Sequence, residues 1–299
     1  MNFLNKALVN TIPILPKSLV RVFANKYIAG DNIGEAVKTV KELNGKKFMA
    51  TMDVLGESIT SKEEAIKSKD ESIEVLDAIK KNNLDSNLSV KLTMLGLKTD
   101  YAMCTSLFNE ILEHAKSLNI FVRIDMEESA VTDITIQMFE EMRKKFDNVG
   151  LVLQAYLRRT EKDIIRLTEQ KTNFRICKGI YIEPEAIAFK GYQEVRDNYL
   201  KVLRLALERG AYCGIATHDD YLITGAEKIV SDMGLTKQQY EFQMLLGVRE
   251  NLRDQVLSRG HRMRIYVPFG QRWYEYSIRR FQENPNVAGQ VLKSIFSNG

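Results

Sequence analysis

The sequence predicts one α/β domain of the (β/α)8 TIM-type barrel class, preceded by a short helical extension. Three observations predict it. Eight short apolar runs recur along the 299 residues, longer charged segments with helical spacing separate them, and no second composition regime interrupts the alternation. Short runs of Val, Ile, Leu and Phe bounded by polar breaks read as parallel strands buried on both faces. An open doubly wound sheet is the structural rival. It usually holds fewer parallel strands, so the repeat count favours the barrel.

The elements follow in order. Within residues 1–45, DNIGEAVKTVKELN (31–44) has the apolar spacing of an amphipathic helix, with Asp31 or Asn32 as its cap. Residues 1–45 are expected to pack on the barrel rather than to form a domain, and 46–299 to form the barrel itself. The strand runs are KFMATMDVLG (47–56), NLSVKLTML (87–95), IFVRIDM (120–126), GLVLQAYL (150–157), FRICKGIY (174–181), YCGIATH (212–218), YEFQMLLG (240–247) and RIYVPFG (264–270). The segments between them are long enough for crossover helices, as at 61–81, 185–210 and 248–260.

Composition excludes several classes. Hydrophobic residues at 44% and only five prolines exclude disorder and Pro-rich linkers. A net charge of +4 with no long basic run gives no footprint for nucleic acid. Cys104, Cys177 and Cys213 are odd in number and widely spaced, which argues against a disulfide framework and for a reducing, cytoplasmic setting. Asn, Lys, Pro13 and Pro16 interrupt the first 20 residues, so they lack the apolar core of a secretory signal. The histidines are His114, His218 and His261, of which only His218 falls at a strand end, a poor basis for a metal site. No GxSxG, GxGxxG or Walker loop is present.

Barrel enzymes work at the C-terminal ends of their strands. Those ends carry Asp53 and Glu57, Lys91, Asp125 with Glu127 and Glu128, Gln154, Arg175 and Lys178, Thr217 and His218, Gln243, and Tyr266. One such residue alone is a satisfied core polar group. Aligned at one end of otherwise apolar strands, the set needs internal partners or a polar ligand. In WYEYSIRRFQEN (273–284), Tyr276, Arg279, Arg280 and Glu283 share one helix face. Adjacent arginines beside an aromatic suit a small carboxylate, and a solvated basic patch fits the same helix equally well.

These blocks together resemble the proline dehydrogenase family. RIYVPFG followed by WYEYSIRRFQENPN resembles its C-terminal signature. DVLGES (53–58), SVKL (89–92), RIDMEES (123–129), LQAYLRR (153–159), RICKGIY (175–181), ATH (216–218) and FQMLLG (242–247) agree in order and position. The resemblance runs from about residue 47 to the C-terminus. It implies a distorted (β/α)8 flavoenzyme that oxidises L-proline to Δ1-pyrroline-5-carboxylate, the first step of proline catabolism. Hydride would pass from C5 to N5 of noncovalent FAD, and electrons then to a quinone, with peripheral contact at the inner face of the membrane. The form implied is short and monofunctional, with pyrroline-5-carboxylate dehydrogenase on a separate protein.

The resemblance also implies roles. Arg279, Arg280 and Lys91 match residues that grip the proline carboxylate. Tyr266 and Tyr276 match aromatics that wall the ring, and Tyr181 one that borders the site. Glu283 and Glu57 match acids that hold the cationic side chains. Asp125 matches the acid ending strand 3, and Arg175 the arginine beside the flavin's reactive edge. Gln154, Lys178, Thr217 and His218 match cofactor contacts, and Met126 and the backbone of Cys177, Lys178 and Gly179 lie in FAD-contacting segments. Tyr266 in place of a small residue implies proline over 4-hydroxyproline. Ile180 and Ile182 depart from the Ala and Trp found in relatives. A folate-reducing flavin barrel and a proline or flavin sensor without turnover are the other readings; the paired arginines suit a small amino acid better than a folate.

Overall fold

The eight apolar runs form eight parallel strands that close on themselves. They are β1 (Met49–Val54), β2 (Ser86–Val90), β3 (Val122–Ile124), β4 (Val149–Gln154), β5 (Asn173–Cys177), β6 (Tyr212–Ala216), β7 (Tyr240–Leu245) and β8 (Met263–Phe269). Each strand pairs with the next in sequence, and β8 returns to β1 in the register Met49↔Arg264 to Val54↔Phe269. The sheet therefore has no free edge, and the doubly wound alternative does not apply. This computed structural model describes residues 21–277, apart from 22, 23, 57, 58, 60, 170, 171, 275 and 276.

Seven helices follow strands within the described residues. They are α2 (Lys62–Lys81), α3 (Tyr101–Ser117), α4 (Ser129–Arg143), α5 (Thr160–Leu167), α6 (Tyr192–Glu208), α7 (Asp220–Asp232) and α8 (Glu250–Ser258), and α1 (Ile33–Gly45) precedes β1. Side-chain oxygens of Asn32, Ser61, Asp100 and Asp219 accept first-turn N–H groups, which fixes where α1, α2, α3 and α7 begin. Of the two caps open to α1, Asn32 is the one used. The α6 helix starts later than the expected 185. Residues 187–189 are drawn into backbone bonds with the loop after β4: Arg158 N–H donates to Ile187 O at 2.9 Å and Phe189 N–H to Tyr156 O at 2.8 Å. Gly191 then caps α6, its N–H donating to Glu194 Oε2 at 2.8 Å.

Strand residues alternate between two environments. Met52, Leu88, Ile124, Leu151, Ile176, Ile215, Met244 and Ile265 are fully buried in one continuous apolar cluster with residues of the surrounding helices. The intervening positions face the barrel axis and are polar to an unusual degree for a layer normally filled by branched apolar residues. Inside the barrel Thr51 Oγ1 on β1 donates to Asn87 Oδ1 on the neighbouring β2 at 2.5 Å, and Arg123 Nη1 on β3 donates to Asn173 O on β5 at 2.7 Å. The α1 helix packs against β1 and β8, burying Ala36, Val40 and Leu43 in the same cluster. Upstream of it, the chain crosses to the mouth. Ala29 N–H donates to Pro268 O, Gly270 N–H donates to Gly30 O, and Ala24, Ile28 and Leu55 pack against Trp273.

Candidate active site

The charged strand ends converge on Asp125, which follows β3 directly. Its Oδ1 accepts from Arg175 Nη1 and Ser89 Oγ, both at 2.6 Å, and its Oδ2 accepts from Tyr266 Oη at 2.7 Å. Lys91, immediately after β2, donates to Asp53 Oδ1 at 2.8 Å and stands 3.7 Å from Asp125 Oδ2. Arg175 stacks 5.1 Å over the Tyr266 ring and donates its Nε–H to Gln243 Oε1 at 2.6 Å. Six strands, β1, β2, β3, β5, β7 and β8, thus contribute one side chain or more, on the strand or directly after it, to one connected group. Parallel closure places their C-terminal ends together, so residues far apart in sequence become neighbours: Asp53 and Tyr266 both touch the Lys91–Asp125 pair.

The protonation states follow from the partners. Burial works to raise the Asp125 carboxyl, but Arg175 and Lys91, with bonds from Ser89 and Tyr266, outweigh it and hold Asp125 below the usual range. Burial likewise opposes the Lys91 charge, and the Asp53 and Asp125 carboxylates outweigh it, so the ammonium is held above its ordinary value. Lys91 is therefore a standing cation and an N–H donor rather than a base. Burial dominates at Asp53 and raises its carboxyl, and burial with the Asp125 charge raises the Tyr266 hydroxyl. Burial also raises Glu127, whose Oε1 and Oε2 accept from Thr93 Oγ1 and Thr93 N–H and tie the loop after β3 to the short helix at Leu92–Leu95.

A second group lines the mouth beside β4, β5 and β6. Gln154 is buried, and its Oε1 has no hydrogen-bond partner. Burial pushes the Cys177 thiol up to about 11, so it is a packed thiol and not a nucleophile. Gly179 sits at φ 102°, and a Cβ there would fall 2.1 Å from the Tyr156 ring, so only glycine turns the chain at this point. Lys178 Nζ donates to Asp219 Oδ2 at 3.2 Å, and Thr217 Oγ1 accepts from Asp219 N–H. His218 Nε2 accepts from Leu245 N–H at 2.9 Å, which leaves the proton of the neutral ring on Nδ1. Met126 is buried beside Asp125, and Tyr181 is half-buried in the turn after β5.

The structure thus brings Lys91, Asp125, Arg175 and Tyr266 together and sets Gln154, Lys178, Thr217 and His218 around the adjoining rim. Tyr276, Arg279, Arg280, Glu283 and Glu57 lie outside the described residues. Sequence reasoning missed Ser89 and Asp219. Ser89 lies two residues before Lys91 on the same strand face, a period-2 signal that was available. Asp219 follows ATH directly and is held by Arg196 through Nε and Nη2 at 2.9 and 2.7 Å. Arg196 comes from α6, and nothing in the sequence pairs it with Asp219.

A closed parallel barrel whose C-terminal mouth gathers buried, mutually neutralising charge defines the class of (β/α)8 enzymes. Comparison with known proteins narrows it. The family model described as proline dehydrogenase matches residues 36–293. Proline dehydrogenase 1 of Bacillus subtilis subsp. natto is 38% identical over 275 residues, covering 92% of this chain and 91% of that protein. Proline dehydrogenase of Deinococcus radiodurans is 32% identical over 277 residues, covering 91% and 89%. The crystal structure of proline utilization A from Bdellovibrio bacteriovorus, inactivated by N-propargylglycine, superposes with a TM-score of 0.82 at 25% identity over 88% of this chain. The chain spans 32% of that longer protein. The chain belongs to the proline dehydrogenase family, and it is an oxidoreductase acting on CH–NH donors. No helix among the described residues is long and apolar enough to cross a membrane.

Proposed function

We propose that the chain oxidises L-proline to Δ1-pyrroline-5-carboxylate, with noncovalent FAD accepting hydride from C5 and a quinone receiving the electrons next. The observation that carries this reading is the Lys91–Asp125–Arg175–Tyr266 cluster. It combines a fixed cation, an aromatic wall and a clamped guanidinium at one mouth. Lys91, with Arg279 and Arg280, would hold the substrate carboxylate, and Tyr266, Tyr276 and Tyr181 would wall the ring. Glu283 would hold the arginine pair. Oxidation needs the neutral amine, and the cationic neighbours disfavour an ammonium, so bound proline loses its proton more readily than free proline. Water at the mouth takes that proton, because Lys91 is already protonated and His218 lies on the neighbouring rim.

The residues on that rim fit FAD. Gln154 offers a buried, unpartnered acceptor of the kind a flavin-ring N–H requires. Lys178 offers a cation, Cys177, Lys178 and Gly179 a backbone turn at the mouth, and His218 a ring held in place by Leu245 N–H. Arg175, Met126 and Thr217 complete the set. When bound, FAD supplies the two-electron acceptor, and the chain's part is to orient and polarise it. Residues 46–299 would form this catalytic barrel, with 1–45 packed on it. A separate pyrroline-5-carboxylate dehydrogenase would take the product, and peripheral membrane contact would deliver electrons to quinone. The test is the anaerobic visible spectrum of purified protein before and after L-proline. Bleaching of a flavin band supports the reading, and a band that stays oxidised at saturating proline overturns it.

A further inference from the structure

Gln243 stands midway along β7 at 5% exposure and faces the barrel axis, and the proposed reaction gives it no task. Its amide joins two unlike groups. Oε1 accepts from Arg175 Nε at 2.6 Å, and Nε2 donates to Glu241 Oε1 at 2.6 Å. A guanidinium only donates and a carboxylate only accepts, so a flipped amide would set donor against donor and acceptor against acceptor. The amide therefore has one orientation. Glu241 is fixed in turn by Arg264, through Nε at 2.6 Å and Nη2 at 3.2 Å, and by Tyr212 Oη at 2.7 Å. Burial works against the Glu241 charge, but Arg264 outweighs it and holds the carboxyl at about 2, so the residue stays anionic.

A connected line of polar groups thus runs up the axis from Arg264 and Glu241 through Gln243 to Arg175 and Asp125. A structural role alone would make this a satisfied core network. Two details point further. Gln243 takes the Nε of Arg175 and Asp125 takes Nη1, which leaves Nη2 as the nitrogen without a protein hydrogen bond among the described residues. The clamp therefore aims one particular amino group. Opposite the amide, β6 carries Gly214, where a Cβ would fall 2.4 Å from Gln243 Nε2. The strand is cleared of a side chain where the amide sits.

We propose that Gln243 is a positioning residue that links the fixed anion Glu241 to Arg175 and so sets the aim and donor strength of Arg175 toward the flavin. The proposal rests on the reading of Arg175 as the flavin-facing arginine. It predicts that freeing Arg175 weakens its stabilisation of the negative charge on the reduced cofactor.

The experiment uses FAD-loaded protein and two variants, Gln243→Leu and Gly214→Ala. The flavin midpoint potential is measured by dye equilibration, without proline, and kcat and KM for L-proline are measured separately. Gln243→Leu is expected to shift the reduction equilibrium about tenfold toward oxidised flavin, about 30 mV for a two-electron couple, and to lower kcat more than it raises KM. Gly214→Ala brings its methyl nearest to the amide, 2.4 Å from Nε2, and is expected to shift both in the same direction. Because both act through one group, the double variant is expected to shift no further than Gln243→Leu alone. If Gln243→Leu does not fold, Gly214→Ala decides alone. Potentials and kcat within about twofold of wild type, in variants that retain flavin, would overturn the proposal, as would loss of flavin from a folded variant. Wild-type flavin that proline fails to reduce would count against the proposed function instead, and the dye-measured potentials would still judge Gln243.

Discussion

Removing the Tyr266 hydroxyl isolates the most central hydrogen bond of the site. In Tyr266→Phe the ring stays, so its stacking under Arg175 at 5.1 Å is kept; the 2.7 Å bond to Asp125 Oδ2 is lost, together with the long 3.5 Å contact from Lys91 Nζ. A hydrogen bond to a charged group contributes about 1.5–3 kcal/mol, equivalent to about 10- to 150-fold in kcat/KM at roughly 1.4 kcal/mol per decade. The structure places the effect at the lower end. Lys91 Nζ already stands 3.7 Å from the same Oδ2 and can close part of the gap, while Oδ1 keeps Arg175 and Ser89. We expect kcat/KM for L-proline to fall about 10-fold. Tyr266 is also one of the groups holding the Asp125 carboxyl down, so the acid limb of the kcat/KM profile should move to higher pH. The assay is steady-state turnover with an artificial acceptor across pH, with flavin content measured on the same samples. A kcat/KM within threefold of wild type at every pH, with flavin intact, would refute the reasoning: the Tyr266–Asp125 bond would then be a packing detail.

Three further outcomes are expected. Glu241 has a depressed carboxyl, ordinarily at 4.5 and here about 2, so its stabilising contribution is full above about 4.5 and is lost as pH falls toward 2; acid unfolding followed by circular dichroism should lose amplitude in that window in Glu241→Gln, and an unchanged acid transition would contradict it. Gly150→Ala would put a Cβ 2.5 Å from Arg123 Nη1 and Asn173 O, so overpacking should cost about 1–3 kcal/mol and lower Tm by several degrees; an unshifted melt would mean that β4 yields there freely. Arg279→Met or Arg280→Met should raise KM for proline far more than it lowers flavin content, and an equal loss of flavin would count against a substrate role for the pair.

How much of this was legible in the sequence depends on how far each signal reaches along the chain. The barrel was readable because each strand announces itself locally as a short apolar run bounded by polar breaks, and Asn32 marks the start of the first helix within four residues. Lys91, Asp125, Arg175 and Tyr266 were readable as residues of interest because closure sends every strand end to one place, so position on a strand stands in for position in space. Their pairings were not readable. Nothing within reach of Arg175 in sequence says that it takes Asp125, 50 residues back, and Gln243, 68 residues on. The helix expected within 185–210 forms at Tyr192–Glu208 but starts late for the same reason, because residues 187–189 are drawn off by the loop after β4, which no local propensity reports.

The polar axis of the barrel shows the same limit from the other side. Arg123, Glu241 and Arg264 look in sequence like ordinary charges interrupting apolar strands. In the structure they occupy positions where an apolar side chain would pack at no electrostatic cost, and Arg123 is 1% exposed, with burial lowering its guanidinium to about 9. Such an arrangement is not favoured by stability alone, since buried ion pairs seldom outperform apolar residues of equal volume. Glycines at 150 and 214 deepen the point, because both give up packing where Arg123 and Gln243 need room. The interior instead provides a base for Arg175 and Asp125 in which Gln243, Glu241 and Arg264 are joined by hydrogen bonds, and precision of that kind is what a site acting by orientation and fixed charge requires.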